Sequence, residues 1–303
     1  MTALGPHQSI DTASNRDKFT LGIYDQLWDE YRTRVSYVGD YEQMIADHGA
    51  TFVNDHIAFR TIVGQNPSTG ITSLSRIFEA LGYQPAGVYP FPDKHLNAIH
   101  YQHAHPLFPK LFISELRSWE FGVDTCRILE KYLSQHGSTV NLTTLQQLAE
   151  LDSNSAEDDS LGNKVLDSIR QLPWPLPTAE DVEAINRVSQ YAAWVLVHGY
   201  NVNHFTALVN SHGVDELSSI DKTVAALRKA NVPMKEEIEG TVGSKLRQTA
   251  TQAVVIDVPL ANDQTTKWTY AYFELAERGN IGSERFEGFL GAQATQLFDM
   301  TKK

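Results

Sequence analysis

The stretch TFVNDHIAFRTIV, residues 51–63, has a shorter echo in YNVNHFTALVN, residues 200–210. Both are rich in β-branched and aromatic residues and read as strands. Val53-Asn54-Asp55-His56 in the first stands beside Val202-Asn203-His204 in the second. Side chains alternate faces along a strand, so His56 shares a face with Ala58 and Arg60, and His204 with Thr206 and Leu208. The segments downstream of the two stretches are similar as well. After the first come a loop (GQNPSTG, with Ser73 a candidate N-cap), a helix stopped at Gly82, and strands over Gln84–Tyr89, Asn97–His103 and Lys110–Leu116. After the second come a helix over Ile220–Ala230 and strands over Lys235–Glu239, Thr251–Val258 and Trp268–Glu277. The order β-α-β-β-β therefore occurs twice, the mark of a divergent internal duplication.

The rest of the chain is expected to be helical. Apolar residues at helical spacing predict two helices within residues 16–49, a helical insert over 118–195 and a C-terminal helix within 281–303, with Phe286, Phe289, Leu290 and Leu297 on one face. The first module spans 50–117 and the second 196–280. The expectation is one α+β catalytic domain over 1–303, with residues 1–15 polar and loosely attached.

The 303 residues carry 25 Lys+Arg against 37 Asp+Glu, a net charge of −12. That balance argues against nucleic acid or an anionic membrane as a partner, because both need clustered cations. Cys126 is the single cysteine, so no internal disulfide forms. A cytoplasmic, reducing compartment is expected, with organelle targeting left open. No apolar signal region and no run of about 18 apolar residues is present.

A third segment, WTYAYFELA at residues 268–276, places Glu274 on one face with Tyr270, Tyr272 and Ala276. A carboxylate among aromatic residues needs a partner. With His56 and His204 it would make a 2-His-1-carboxylate set, which leaves positions open on a non-haem Fe(II). Each residue has a plainer explanation. A strand histidine is commonly a hydrogen-bonded or surface imidazole, and Glu274 fits the solvent face of an edge strand equally well. The duplication favours the histidine pair, since both occupy corresponding positions. Arg60 would project beside His56, where a guanidinium can grip a carboxylate through two hydrogen bonds; pairing with an internal acid is the alternative. His95, His100, His103 and His105 crowd into KHLNAIHYQHAHP, but Asp93 is the one nearby acid and Pro106 ends the run. They read as a decoy, and His198 and His212 as structural or exposed. Cys126 lies in a helical context and reads as packing. No dinucleotide-binding, P-loop, H-E-x-x-H or G-x-S-x-G motif occurs.

Four blocks carry a family resemblance: D-H-I-A-F-R-T at Asp55–Thr61, V-N-H-F-T at Val202–Thr206, L-R-Q-T at Leu246–Thr249 and F-E-L-A-E-R-G at Phe273–Gly279. In their order and spacing, over residues 50–280, the chain resembles the 2-oxoadipate dioxygenase/decarboxylase family. That family is built like the vicinal oxygen chelate proteins, which implies a curved sheet around a metal site. The resemblance implies Fe(II) bound by His56, His204 and Glu274, a site that Mn, Zn or Ni can fill in a purified sample. It implies Arg60 as the substrate-gripping arginine, and a 2-oxo acid and O2 as the small-molecule partners. 2-Oxoadipate would give 2-hydroxyglutarate and CO2. Arg247 and Gln248 are further pocket candidates, with strand-end roles as the alternative. The chain looks like a compact branch of the family and departs from longer members in the insert and the C-terminal region. Two other functions fit the same residues. One is a non-redox divalent-metal lyase or isomerase of the glyoxalase type, with Ser114 or Glu115 placed to give a fourth ligand matching Glu274. The other is a binding protein without catalysis.

Overall fold

The computed structural model describes residues 5–138, 140–153, 159–291 and 298. Helices α1 (Asn15–Arg34) and α2 (Tyr37–Asp47) lead into β1 (Asn54–Val63). α3 (Thr72–Ala80) crosses to β2 (Gln84–Phe91), β3 (Leu96–Gln102) and β4 (Lys110–Arg117). The insert holds α4 (Val123–Leu133), α5 (Leu142–Ala149), α6 (Asp159–Arg170), α7 (Ala179–Asn186) and α8 (Gln190–His198). The second half contains β5 (Val202–Leu208), α9 (Ile220–Lys229), β6 (Leu246–Ala250), β7 (Val255–Leu260), β8 (Gln264–Thr269) and β9 (Glu274–Arg278), then the short pair β10 (Asn280–Ile281) and β11 (Glu284–Arg285).

Seven strands form one sheet in the order β2-β3-β4-β1-β5-β9-β6, curled into a half-barrel. Its centre is an antiparallel seam between β1 and β5. On each side of the seam the next strand is parallel, β4 beside β1 and β9 beside β5. Parallel neighbours need a crossover, and α3 and α9 begin those crossovers. The next strands outward, β3 and β6, are antiparallel to β4 and β9. The two halves thus share one topology, and the α+β class with paired modules around a curved sheet holds.

The helices follow from their caps and apolar faces. Ser14 accepts from the Asp17 amide at the start of α1, and Ser219 from Lys222 at the start of α9. α3 is different: Ser73 does not cap it, and the Glu115 carboxylate accepts from Ile71 N at 2.9 Å instead. Gly82 follows α3 with a φ of 99°, the left-handed stop the sequence predicts. α1 buries Trp28 and Tyr31 against Phe205, at ring separations of 5.0 and 4.9 Å. Such aromatic pairs contribute about 0.5–1.5 kcal/mol each beyond their burial. α8 is buried from Tyr191 to His198. It is tied to β1 by the Tyr191 hydroxyl, which accepts from Thr61 N at 3.2 Å.

Several expected boundaries change. Residues 235–239 are no regular strand. Met234 and Glu239 make isolated bridges to Thr251 and Gln248, and between them the Thr249 hydroxyl donates to the Glu237 carbonyl at 2.8 Å in place of a ladder bond. The segment still occupies the position that β2 holds in the first half. The strand expected over Thr251–Val258 is displaced: β6 ends at Ala250 and β7 begins at Val255. β7 and β8 leave the sheet as a separate hairpin, turned at Asn262 and Asp263 with φ of 60 and 56°. The strand expected over Trp268–Glu277 is interrupted at residues 270–273, where Trp194 donates to the Tyr270 carbonyl at 2.6 Å. Residues 5–7 are buried rather than loose: the His7 ring contacts Asn54 Oδ1 at 3.1 Å and packs near Tyr24 and Phe205. Residues 283–290 are not helical; the remainder of the expected C-terminal helix lies outside the described residues, apart from 291 and 298.

Candidate metal centre

Each histidine of the seam is presented by an irregularity in the β1–β5 ladder. The register shifts between Asn54 and His56 on β1, where Asp55 is the extra residue, and between Ala58 and Phe59, opposite Asn203 on β5. A bulge of this kind re-aims side chains locally. Asp55 Oδ2 reaches His56 Nδ1 at 2.7 Å, and Asn203 Oδ1 reaches His204 Nδ1 at 3.0 Å. The Asn54 amide closes the first bulge by donating to the carbonyls of His56 and Thr206, each at 2.9 Å. With Nδ1 held from behind, both rings turn Nε2 toward the same point. This is the usual support for a metal-ligating histidine, which fixes tautomer and orientation together.

The two Nε2 atoms are 3.4 Å apart. Glu274 enters from β9, with Oε2 at 3.2 Å from His204 Nε2 and Oε1 at 3.6 Å from His56 Nε2. Thr206 Oγ1 lies 3.0 Å from His56 Nε2, and the Tyr272 ring stacks on His204 at 4.8 Å. Glu274 is 0% exposed, and neither of its oxygens has a hydrogen-bond partner among the described residues. Burial pushes this carboxyl well above the usual range, and Glu239 and Asp55 add to the shift. Burial holds His204 well below its ordinary value, helped by His56 and Arg60. It lowers His56 too, against the opposing pull of Asp55. These shifts favour two neutral imidazoles, as metal ligation requires, facing a buried carboxyl group with no hydrogen-bond partner among the described residues. Leaving that carboxylate charged and alone is costly, and a divalent cation among the three would offset the cost. Among the described residues, His56, His204 and Glu274 are the one group of histidine, cysteine or acid side chains that could hold a metal, their ligand atoms all lying within 4.8 Å of one another.

A cavity opens from this group, with about 450 Å³ of atom-free space when its open mouth is included. Arg60, Ser114, Gln248, Phe112, Phe289 and Phe298 are among its walls. The Arg60 guanidinium is 2% exposed and lies over the rings of Tyr191 and Trp194 at 5.2 and 5.3 Å. Gln248 lines the cavity, its amide donating to Glu239 Oε2 at 3.2 Å. Arg247 does not line it. Neighbours on a strand face opposite sides, and Arg247 makes two bonds to Asp221 of α9, at 2.6 and 3.1 Å. Its candidacy for the pocket is thereby corrected.

The fourth-ligand position is corrected as well. Two residues after His204, Thr206 pairs in register with Glu274; two residues after His56, Ala58 pairs with Phe112. The counterpart of Glu274 is therefore Phe112, neither Ser114 nor Glu115. Ser114 Oγ bonds the Phe59 carbonyl and the Tyr191 hydroxyl. Glu115 is the counterpart of Glu277. Both do the same work, accepting from an amide at the start of a crossover helix: Ile71 N at 2.9 Å and Ile220 N at 2.6 Å.

The histidine-rich stretch scatters. His95 bonds Glu120 at 2.9 Å, His100 the Tyr89 hydroxyl at 2.9 Å, and His105 the Asp11 carbonyl at 3.3 Å, while His103 stacks on Phe108. His198 and His212 are structural, held to the Thr269 carbonyl and to the Tyr41 hydroxyl and Leu217 carbonyl. Cys126 is half-buried and donates to the carbonyls of Ser118 and Phe121. Residue types alone did not point to Asp55 and Arg278. Arg278 forms two bonds with Asp55, at 2.5 and 2.7 Å. Burial acts to raise the Asp55 carboxyl, but Arg278 and Lys110 outweigh it and hold the group well below the carboxylate range. The signal was an acid placed directly before a candidate ligand histidine.

Comparison with known proteins bears on the family and the fold. A family model described as 2-oxoadipate dioxygenase/decarboxylase matches residues 23–301. The chloroplastic 2-oxoadipate dioxygenase/decarboxylase of Arabidopsis thaliana is 29% identical over 278 residues, covering 82% of this chain and 67% of that protein. Among solved structures, hydroxyglutarate synthase from Oryza sativa in complex with 2-oxoadipate superposes with a TM-score of 0.78 at 22% identity, covering 100% of this chain and 97% of that one. A protein from Ralstonia eutropha JMP134, placed provisionally in the glyoxalase superfamily, gives 0.77 at 20% identity, covering 95% and 90%. At such identities the structural likeness is one of fold. No helix among the described residues is long and apolar enough to cross a membrane.

Proposed function

The chain belongs to the 2-oxoadipate dioxygenase/decarboxylase family, and from that premise we propose that it is an Fe(II)-dependent oxygenase that converts a 2-oxo diacid, 2-oxoadipate, and O2 to 2-hydroxyglutarate and CO2. The equation balances: the six-carbon oxo acid loses one carbon as CO2, and both atoms of O2 are retained in the products. The observation that carries the reading is the Glu274 carboxyl group, buried and without a hydrogen-bond partner among the described residues, with its oxygens 3.2 Å from His204 Nε2 and 3.6 Å from His56 Nε2. His56, His204 and Glu274 would hold the iron, which when bound supplies the redox step and a chelation point for the 2-oxo acid.

The other roles fall to side chains of the cavity. Arg60 is proposed to grip a substrate carboxylate, with its guanidinium plane steadied on Tyr191 and Trp194. That grip keeps the substrate's oxo-acid end directed at the three ligands. Gln248 offers an amide from the opposite half. Phe112, Phe289 and Phe298 wall the cavity with apolar surface, which limits water near the reacting atoms. With Phe112 in the place of a fourth ligand, a three-residue set is favoured over the four-ligand, non-redox arrangement.

The test is direct. Protein purified anaerobically is mixed with Fe(II) and 2-oxoadipate, and O2 uptake and CO2 release are followed together. Equal consumption and release is expected. Absence of uptake with 2-oxoadipate and related 2-oxo diacids would sink the reading.

A further inference from the structure

Arg278 is engaged on two sides. Its Nε and Nη2 hold Asp55, whose Oδ2 holds His56 Nδ1. Its Nη1 donates to two backbone carbonyls of the segment after β11, Phe286 at 3.1 Å and Gly288 at 2.8 Å. That segment closes one wall of the cavity. Phe289 stands 4.9 Å from the His56 ring and 4.9 Å from Phe112, and Arg278 lies over the Phe289 ring at 5.3 Å. Four other holds reach the segment: Lys110 Nζ pairs with Glu287 Oε2 at 2.5 Å, Phe286 N donates to the Gly279 carbonyl at 2.9 Å, Gln102 donates to the Glu287 carbonyl at 3.3 Å, and the Tyr89 hydroxyl accepts from Phe289 N at 3.2 Å; among the described residues, Arg278 alone joins the segment to the group behind His56.

The other histidine shows that this arrangement is not required for ligation. His204 has its Nδ1 held by neutral Asn203. An asparagine at position 55 could hold His56 in the same way, with no buried charge to neutralise. The Asp55–Arg278 pair therefore does more than fix a ring: it joins the ligand to the wall.

We propose that Arg278 is a positioning residue with two separable tasks, neutralising the Asp55 that orients His56 and clamping the Phe286–Phe289 wall over the same ligand. The metal part of this inference rests on the proposed function; the wall part does not. Removing the guanidinium alone should disturb both, because it leaves Asp55 buried and unpaired while releasing two carbonyls. Replacing both partners should separate the tasks.

The experiment compares wild type, Arg278→Met and the double variant Asp55→Asn/Arg278→Met. Two readouts are taken on each: Mn(II) affinity by electron paramagnetic resonance, and amide hydrogen exchange of residues 284–291 in the metal-free protein. Arg278→Met should weaken Mn(II) by roughly 10–100-fold, the usual effect of losing the group behind a ligand, and should speed exchange at 286–289. The double variant should regain Mn(II) affinity to within about threefold of wild type, with position 55 now serving His56 as Asn203 serves His204. Its exchange at 286–289 should stay fast, and its KM for 2-oxoadipate should rise more than its kcat falls. If Arg278→Met folds poorly, the double variant alone decides the point, since it adds no unpaired buried charge to those of the wild type. Slow, wild-type exchange in the double variant would overturn the clamp; Mn(II) affinity as poor as in ligand knockouts would overturn the separability. Wild type that bound no Mn(II) would count against the proposed function and the metal task together, leaving the clamp to be judged by exchange.

Discussion

The two halves of the sheet agree in backbone and disagree in what they point at the cavity. Each has a bulge that presents a histidine, a parallel neighbour outside the seam, and a glutamate, Glu115 or Glu277, on the first amides of a crossover helix. They part at three places. The group behind the ligand is a charged Asp55 in one and a neutral Asn203 in the other. The position facing the two histidines from the parallel strand is Phe112 in one and Glu274 in the other. On the next strand out, His100 pairs with Phe112 where Ala250 pairs with Glu274. Tasks that hold the architecture stay duplicated. Tasks that meet the ligand do not, and a symmetric scaffold becomes a one-sided site.

That contrast can be broken in graded ways. If the halves contribute equally to ligation, His56→Ala and His204→Ala should each lose metal by more than the roughly 10–100-fold that a change behind a ligand costs; isothermal titration with Mn(II) measures it, and retained affinity in either would undo the equivalence. The supports should differ sharply. Asp55→Ala strands the buried Arg278 guanidinium and should cost about 3–5 kcal/mol of stability, whereas Asn203→Ala removes one neutral hydrogen bond and should cost about 1 kcal/mol. Urea denaturation of the metal-free proteins would tell them apart. Phe112→Glu restores the carboxylate that the first half lacks. It should preserve or strengthen metal binding while lowering O2 uptake by about tenfold or more, as an extra ligand takes up an open position; unchanged uptake would mean that Phe112 is only a wall.

The most gradual effect concerns His100, which burial pushes down from 6.5 to about 4, with Lys110 and Arg278 contributing. Its folded-state pKa is depressed, so at pH below 6.5 the unfolded chain takes up a proton that the folded chain refuses. Stability should therefore fall as pH drops from 6.5 to about 4, by at most about 1.4 kcal/mol per pH unit from this residue, and then level off. His100→Gln should flatten the slope of stability against pH over that window. An identical slope would place the acid sensitivity elsewhere.

Much of this was legible in the chain because strand periodicity and duplication reinforce each other. β1 and β5 announce themselves by composition, and the matching offsets of the helices placed His56 and His204 as equivalents. The second half blurred where the pattern was true of side chains but false of the ladder. Tyr270 to Phe273 continue the aromatic run between β8 and β9, yet the Trp194 and Thr251 side chains take the backbone groups that a strand would pair. The Phe286, Phe289 and Leu290 spacing suggested a helix, but Arg278, Gln102 and Tyr89 bind the peptide groups that a helix would have satisfied within itself. Arg247 and Gln248 were adjacent letters in one motif, and only the pleat decides that one meets the cavity and the other meets Asp221. Side-chain bonds to the backbone over long separations leave no local period to find.

The antiparallel seam also bears on how the protein is made. His56 and His204 are 148 positions apart, so the ribosome finishes the entire first module and the insert before β5 exists. Throughout that interval β1, destined for the middle of the sheet, is an edge with unsatisfied amides and carbonyls, the kind of surface on which nascent chains join one another. α8 is the last helix made before β5, and its Tyr191 hydroxyl already covers the Thr61 amide near the far end of β1. In the finished fold α8 packs against β1, so the insert, complete before β5, is available to lie against β1 in that interval.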